Sequence, residues 1–337
     1  MDQLLDLVLL QGNRFIKEFL RSRGLAIGTN KQQFEEHLRQ AIADDELTPE
    51  VIREWLSDVE GWGNQHVFVF DVPDGDVDTV RERDTFEGLV TAAGLAELLD
   101  AEIPFDPGDE LTLATIRHWA DGLSFLWVRG SPALIRRKEL DYEEETEGTE
   151  IEFHAYERRW SRVAARFEWH FDTNIAAVFL ARREERDYAQ QRDLVLQAVD
   201  TVIAARTGWP GLDVARVITQ IDSAGLDEAE AGDGHGGVRM NFTVFQGASA
   251  SVRLAASSEA SGYQEDAGVR QVRLAVDPTQ LVGGSGDCYL TPSGEDDLSR
   301  ELHVRLYGRD QRVLLWGKMT AEEVWRLVAD LRAYAAA

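Results

Sequence analysis

Three polar side chains near the middle of the chain have the types and spacing of metal ligands. Residues 166–172 alternate strictly between polar and aromatic, so Glu168, His170 and Asp172 share one face of a predicted strand. Two carboxylates and an imidazole on one face suit a divalent metal, and with it a metal-dependent enzyme. The usual outcome of this pattern is a polar strand face in water. We therefore predict no metal, no other cofactor and no catalytic residue, and keep the metal-dependent enzyme as a third hypothesis.

Basic residues near the N-terminus are typical of contacts to phosphate. Between positions 13 and 33 the only acid is Glu18, and the basic residues are Arg14, Lys17, Arg21, Arg23 and Lys31. A helix that begins near Asn30 would add backbone N–H donors for phosphate without adding charge. This stretch is therefore the strongest candidate for a nucleic-acid contact.

Helical periodicity surrounds this basic stretch. Over the first 60 residues, apolar side chains recur at a spacing of three and four, as in Phe15 and Phe19 or Phe34 and Leu38. Thr48 followed by Pro49 is typical of a helix start. We predict a compact helical module over residues 1–60.

Residues 14–42 of this module resemble the SAP family of helix-extended-helix modules. The apolar positions are Ile16, Leu20, Leu25, Phe34 and Leu38, the junction after the first helix is Arg23-Gly24-Leu25, and Lys31 stands at the expected distance from Leu25. Gly24 can end the first helix in the left-handed conformation, and Asn30 can cap the helix that Lys31 begins. Two features depart from the family: its linker glycine usually lies one position after Gly28, and a basic residue is usual at the position of His37.

The resemblance implies binding of duplex DNA with little sequence preference, through the linker and the start of the second helix. It covers only about the first sixth of the chain. The DNA-binding residues that we predict are Lys17, Arg21, Arg23, Gly28, Asn30 and Lys31. Local charge agrees, because this stretch is basic within an acidic chain.

The remainder of the chain predicts an α+β fold. Runs rich in β-branched and aromatic residues follow one another with short turns, so we expect an antiparallel sheet with helices packed on one face. Two parts, 66–208 and 212–337, each read as strands followed by a helix, which suggests two similar halves. Within the second part we predict strands at 214–221 and 269–276, and exposed loops at 222–237 and 283–297.

Composition restricts the partners. The chain has 337 residues, with 35 basic and 61 acidic side chains and a formal charge of -26, so its surface repels nucleic acid and anionic membranes except where cations gather. A single cysteine, Cys288, excludes an intramolecular disulfide and a cysteine zinc motif, and favours a cytoplasmic location. No apolar run reaches the length of a membrane span, so we expect no membrane partner.

An acidic run lies between two arginine-rich segments. Its members are Glu143, Glu144, Glu145, Glu147, Glu150 and Glu152. The ordinary explanation is cross-strand pairing of these acids with the arginines on either side.

Our leading hypothesis is a non-enzymatic DNA-associating or scaffold protein, in which the helical module contacts duplex phosphates and the acidic body meets a protein partner. The alternative is a protein-interaction subunit whose helical module docks a partner chain. This alternative predicts an exposed apolar patch formed by Leu4, Leu7, Val8 and Trp62.

Overall fold

The protein is described here from a computed structural model. It describes residues 2–104, 107–136, 140–146, 149–182, 187–203, 208–231, 238–247, 249–256, 262–275, 281–290 and 301–337. Packing divides the chain into two compact units. The first unit contains Met1–Gly61, Glu102–Ala114 and Trp127–Ala164, and the second contains Trp62–Ala101, Thr115–Leu126 and Ala165–Ala337.

Four helices form the N-terminal part of the first unit. They are α1 (Asp2–Leu10), α2 (Asn13–Ser22), α3 (Lys31–Ala43) and α4 (Pro49–Glu60). Their buried sides meet in one core that includes Leu5, Ile16, Leu20, Phe34 and Leu38. The predicted helix start at Thr48 is present, because its side chain accepts a hydrogen bond from the Val51 N–H, with Pro49 in the first turn.

A ten-stranded sheet dominates the rest of the described chain, and the predicted α+β fold is confirmed. Its strands are β1 (Gln65–Asp71), β2 (Thr112–Trp119), β3 (Gly122–Arg136), β6 (Tyr156–His170), β7 (Ile175–Ala181), β8 (Val238–Gln246), β9 (Ser251–Ala255), β10 (Val282–Leu290), β11 (Leu302–Tyr307) and β12 (Arg312–Leu315). The order across the sheet is β2-β3-β6-β7-β1-β12-β11-β10-β8-β9. A separate ribbon pairs β4 (Tyr142–Thr146) with β5 (Thr149–Phe153).

Strand β1 joins the strands that precede residue 210 to those that follow it. It pairs antiparallel with β7 on one side and with β12 on the other. No division by packing therefore falls near residue 210. The two halves also differ in strand order. In the first half the first strand, β2, lies at the edge of the sheet and β3 lies next to it. In the second half the second strand, β9, lies at the opposite edge and β8 lies next to it.

Helices cover both faces of the sheet, which corrects the expectation of a single helical layer. The remaining helices are α5 (Asp74–Val77), α6 (Arg83–Ala92), α7 (Tyr188–Asp200), α8 (Val214–Ala231), α9 (Ala267–Leu274) and α10 (Ala321–Ala336). On one face, Val67 and Val69 of β1 join the core that contains the apolar sides of α8 and α10. On the other face, His66 meets Tyr188 of α7, with ring centroids 3.8 Å apart.

Two predicted strands, at 214–221 and 269–276, are helical where the structure describes them, so both predictions are wrong. Val214, Val217, Ile218 and Ile221 are buried and follow the i, i+3, i+4, i+7 spacing of one helix face. Their β-branched side chains suggest a strand, yet burial against the sheet decides in favour of the helix.

The glycine-rich segment predicted as a loop at 283–297 forms strand β10 as far as Leu290, and residues 291–300 lie outside the described part of the chain. A Cβ atom at Gly283 would stand 2.5 Å from the carbonyl oxygen of Ala215 and 2.6 Å from the Cβ of Ile218. Helix α8 therefore lies directly on the backbone of this strand, and the glycine permits that approach.

The predicted loop at 222–237 begins instead with a buried residue of α8, and residues 232–237 lie outside the described part. Asp222 is fully buried and accepts hydrogen bonds from the Tyr263 hydroxyl and from Nε of Arg273. Burial raises the pKa of Asp222 to about 6, although the Arg273 guanidinium opposes the shift. The hydrogen bond between Arg273 and Asp222 connects α9 to α8. In the described chain, no helix is both long and apolar enough to cross a membrane.

Candidate nucleic-acid interface

Helix α2 separates an apolar side from a cationic side. Phe15, Ile16, Phe19 and Leu20 are buried in the core of the helical module. Lys17 and Arg21 are one helical turn apart, so both lie on the same outer side. Lys17 is half-buried and Arg21 is exposed, so both ammonium and guanidinium can meet an anion.

The turn after α2 has the conformation predicted from Arg23-Gly24-Leu25. The N–H of Leu25 donates to the Leu20 carbonyl at 2.9 Å, and the N–H of Gly24 donates to the Arg21 carbonyl at 3.0 Å. Gly24 has φ +69°, and this pair of bonds is the Schellman motif. Because the turn returns Leu25 to the core, the exposed Arg23 is held at the end of the helix.

Gly28 is buried, and its contribution is steric. A Cβ atom there would stand 2.7 Å from the Cβ of Gln33 and 3.1 Å from the backbone N of Phe34. The linker therefore passes against the first turn of α3 at a distance that only glycine allows. Gly28 was predicted among the DNA-binding residues, and the structure turns it inward.

Asn30 caps α3 as predicted. Its side chain accepts a hydrogen bond from the Gln33 N–H at 3.0 Å, and Gln33 in turn accepts from the Thr29 N–H at 2.7 Å. Among the described residues, the backbone N–H groups of Lys31 and Gln32 have no acceptor. They leave two donors at the positive end of a helix of 13 residues.

Lys31 is placed differently from the other predicted phosphate contacts. Its ammonium donates to the Gln11 carbonyl, just after α1. Burial lowers the pKa of Lys31 to about 8. The side chain therefore connects the start of α3 to the end of α1.

Ion pairing divides the cations of the module into two groups. Arg14 pairs with Glu18 at 2.8 Å, Arg39 with Asp2 at 2.7 Å, and Arg53 with Glu50 at 3.1 Å. Among the described residues, no acid pairs with the side chains of the second group, Lys17, Arg21 and Arg23. We call these three the unpaired cations.

The apolar docking patch expected for the alternative hypothesis is absent at the residues proposed for it. Leu4, Leu7, Val8 and Trp62 are all buried, with at most 4% of each residue exposed. The first three belong to the core of the helical module, and Trp62 belongs to the core of the second unit. That prediction is wrong because these residues stabilise the fold.

The predicted metal ligands do not form a ligand set. Glu168 is buried, and its oxygens accept from Nε2 of His170 at 2.8 Å, from Arg166 at 3.3 Å and from Nε1 of Trp325 at 2.9 Å. Asp172 follows the end of β6. Among the residues that the structure describes, no three His, Cys, Asp or Glu side chains are grouped to hold a metal.

The acidic run pairs with itself. In the ribbon of β4 and β5, Glu143 lies opposite Glu152 and Glu145 lies opposite Glu150, and all four are exposed. On the opposite side of the ribbon Tyr142 stacks on Phe153, with centroids 4.6 Å apart. The expectation that the acids pair across strands with arginines is wrong at these positions, and like charges face each other instead.

A second cationic surface was not anticipated from the sequence. It lies on the face of the sheet opposite α8, where side chains of five strand regions form one stack. We call it the arginine-aromatic row, and it consists of Arg182, Trp316, His303, Tyr289 and Arg239. The alternation of His303, Arg305 and Tyr307 with buried Leu302, Val304 and Leu306 was a visible signal of this face.

The chain matches no protein-family model, and no curated protein matches it.

Proposed function

We propose that this protein associates with duplex DNA, or acts as a scaffold on it, through phosphate contacts made by the helical module. The unpaired cations Lys17, Arg21 and Arg23 bind phosphate oxygens, and the free N–H groups of Lys31 and Gln32 add hydrogen bonds to the backbone. The observation that carries the proposal is the division of the module's cations. Lys17, Arg21 and Arg23 have no acid partner among the described residues, whereas Arg14, Arg39 and Arg53 are paired with acids and the Lys31 ammonium donates to the Gln11 carbonyl.

The proposal also draws on the resemblance to SAP modules, which remains a prediction. The Schellman turn at Gly24 and the Asn30 cap form the local structure around the linker. In this proposal Lys31, Gly28 and Asn30 position the interface, and the phosphate contacts belong to the unpaired cations. The protein acts in the cytoplasm, and its acidic body keeps non-specific affinity low by repelling the DNA outside this contact.

A pair of triple variants tests the proposal on the full chain. Lys17→Ala/Arg21→Ala/Arg23→Ala removes the unpaired cations, and Arg14→Ala/Arg39→Ala/Arg53→Ala removes the same charge from the same module. Anisotropy of a fluorescent duplex reports the affinity. We expect the first variant to bind on the order of a hundredfold more weakly at about 0.1 M salt.

The control variant should keep most of the affinity, because its arginines are already engaged with acids. Equal losses in the two variants would show that only net charge matters. No binding by the wild-type chain at low salt would reject the proposal.

A protein partner for the acidic body is the second candidate function, and the β4-β5 ribbon favours it. Glu143 faces Glu152 and Glu145 faces Glu150, and none of the four pairs with an arginine in the part of the chain that the structure describes; Glu152 lies 3.5 Å from His154 Nδ1. We propose a lysine- or arginine-rich protein segment as the partner. A labelled lysine-rich peptide should bind the wild-type chain.

Neutralising the ribbon should abolish that binding. The variant is Glu143→Gln/Glu145→Gln/Glu150→Gln/Glu152→Gln, and the control changes Asp44, Asp45, Glu46 and Glu54 to their amides. Should both variants bind the peptide equally, the ribbon is not the contact.

A further inference from the structure

The arginine-aromatic row is a continuous stack of planar groups. The Arg182 guanidinium carbon lies 3.9 Å from the centroid of Trp316, and that of Arg239 lies 3.9 Å from the centroid of Tyr289. Between them, the His303 ring is 5.6 Å from Trp316 and 4.5 Å from Tyr289, with interplanar angles of 14° in both pairs. The stack therefore has a guanidinium plane at each end.

A neighbouring group of cations extends this surface. Arg253 lies 4.8 Å from the centroid of Phe242, and Arg305 lies 5.5 Å from the same ring. Arg305 also donates to Asp287 at 2.7 Å, and Nε2 of His303 donates to the same carboxylate at 2.7 Å. Asp287 is buried beneath them, so its charge is used within the sheet.

The surface is accessible to a ligand. Val304, Leu306 and Cys288, on the opposite face of the same strands, belong to the core with α8 and α10. On the side of the row, Arg182 and Arg253 are exposed, and Tyr289, His303, Arg305 and Trp316 are half-buried. Arg182 and Arg253 have no acid partner among the described residues, whereas Arg239 pairs with Glu301.

Charge in this part of the sheet selects an anionic ligand. Burial, and then the charges of Arg312 and Arg182, lower the pKa of the adjacent His66 to about 3. Arg182 and Arg253, which have no acid partner among the described residues, give this face local positive charge, although the whole chain carries -26. A guanidinium presents N–H groups at its edge in a geometry that matches phosphate oxygens.

We propose that this sheet face binds single-stranded nucleic acid, with phosphates on Arg182 and Arg253 and unpaired bases against the guanidinium planes. The rings of Trp316, His303 and Tyr289 already stack on one another, so their faces are occupied. The bases therefore stack on the guanidinium planes at the ends of the stack, since arginine planes stack on bases as aromatic rings do.

A row of planar groups with exposed arginines fits an extended single strand, whose bases are free to stack, better than a duplex, whose bases already stack on one another. An acidic peptide would use the charge but leave the planar groups without a partner. The site is independent of the unpaired cations of α2, and its residues belong to the second unit alone.

The test uses the full chain in which the unpaired cations are already replaced, Lys17→Ala/Arg21→Ala/Arg23→Ala. Removing them separates this site from the duplex contact proposed above. The probe is a fluorescent oligouridine of about 12 nucleotides, a length within the range of known single-strand sites, titrated by anisotropy at several salt concentrations. A glutamate-rich peptide of the same charge is the competing ligand.

Adding Arg182→Ala/Arg253→Ala should weaken oligouridine binding about tenfold and make the salt slope shallower by about 1.4, since a single strand contributes about 0.7 per phosphate. The matched control is Arg216→Ala, an exposed arginine on α8 at the other face of the sheet, and it should leave binding within about twofold. Both arginines are exposed, so their removal should leave the fold intact, and circular dichroism checks it.

Three results would overturn the proposal. The chain could fail to bind oligouridine at low salt, it could bind equally with and without Arg182 and Arg253, or it could bind the glutamate-rich peptide as tightly as the oligonucleotide. The last result would identify an acidic protein segment as the ligand.

Discussion

The helical module and the sheet face both expose arginines on an acidic chain, but they hold them differently. On α2, Arg21 and the neighbouring Arg23 have no acid partner among the described residues and contact no ring. On the sheet, Arg305 is fixed by Asp287 and Arg182 by the Trp316 ring. Arg21 and Arg23 are available to a ligand and contribute little to folding, whereas Arg305 neutralises a buried carboxylate and is part of the fold. Removing Arg21 or Arg23 should therefore reduce mainly binding, whereas removing Arg305 should reduce mainly stability.

The largest loss of stability is expected for Arg305→Ala. Burial alone would raise the pKa of Asp287, but hydrogen bonds from His303, Arg305 and Asn241 hold it below its usual range. Without Arg305 this buried carboxylate loses the guanidinium that pairs with its Oδ2 atom, and the free energy of unfolding should fall by about 2–3 kcal/mol. Urea denaturation measures it.

The same pair predicts a pH dependence. Because the pKa of Asp287 is lower in the folded state, its contribution is present at neutral pH and is lost as the pH falls below the usual range of aspartate. In the Arg305→Ala variant, the decrease in the free energy of unfolding at acid pH should be smaller than in the wild-type chain. A change below about 0.5 kcal/mol at pH 7 would show that the sheet arginines are as dispensable as those of α2.

Gly28→Ala should destabilise the helical module by about 1–3 kcal/mol, because the new Cβ would overlap Gln33 in the first turn of α3. Gly24→Ala is the matched comparison. No atom lies within 4 Å of a Cβ built there, so only the strain of φ +69° remains, about 1 kcal/mol. Thermal unfolding of both variants measures the difference. If Gly24→Ala proved the more harmful, the close approach of the linker to α3 would be in doubt.

Lys31 should contribute to the pH dependence of stability and not to DNA binding. Its pKa is lowered by burial to about 8 in the folded chain, so the unfolded chain binds more protons between about pH 8 and 10.5. Stability should rise with pH across that window, and Lys31→Met should remove this rise. The comparison is made by urea denaturation at several pH values. If Lys31→Met weakened duplex binding as much as Arg21→Ala does, Lys31 would be one of the phosphate contacts.

Arg21→Ala and Arg23→Ala should change the free energy of unfolding least, by less than about 0.5 kcal/mol, because both side chains are exposed and lack acid partners among the described residues. Differential scanning calorimetry checks this. A larger loss would mean that these arginines are structural, as those of the sheet are.

Sequence reasoning succeeded where structure is local. The Gly24 turn, the Asn30 cap and the Thr48 cap depend on residues within a few positions of each other, so the helical module could be read directly. It failed at α8, because the valines and isoleucines of 214–221 favour strands by composition while their spacing is helical. The spacing was the better guide there.

The candidate site on the sheet could not be read from the sequence for a different reason. Trp316, His303 and Tyr289 become neighbours only through the pairing of β10, β11 and β12, and Arg182 reaches Trp316 from beyond β1. Such contacts depend on strand order and register, which no local pattern specifies. Alternation on β11 shows that His303 faces outward, but not what it meets.

The salt dependence of duplex binding tests the central claim most directly. The full chain and its Lys17→Ala/Arg21→Ala/Arg23→Ala variant are titrated with one duplex at several salt concentrations, and the logarithm of the binding constant is plotted against that of salt. If the three cations contact phosphates, the slope of the variant should be shallower by about 2.7, since each contact contributes about 0.9. Parallel lines would contradict the claim, because they would show that no phosphate contact was lost with these side chains.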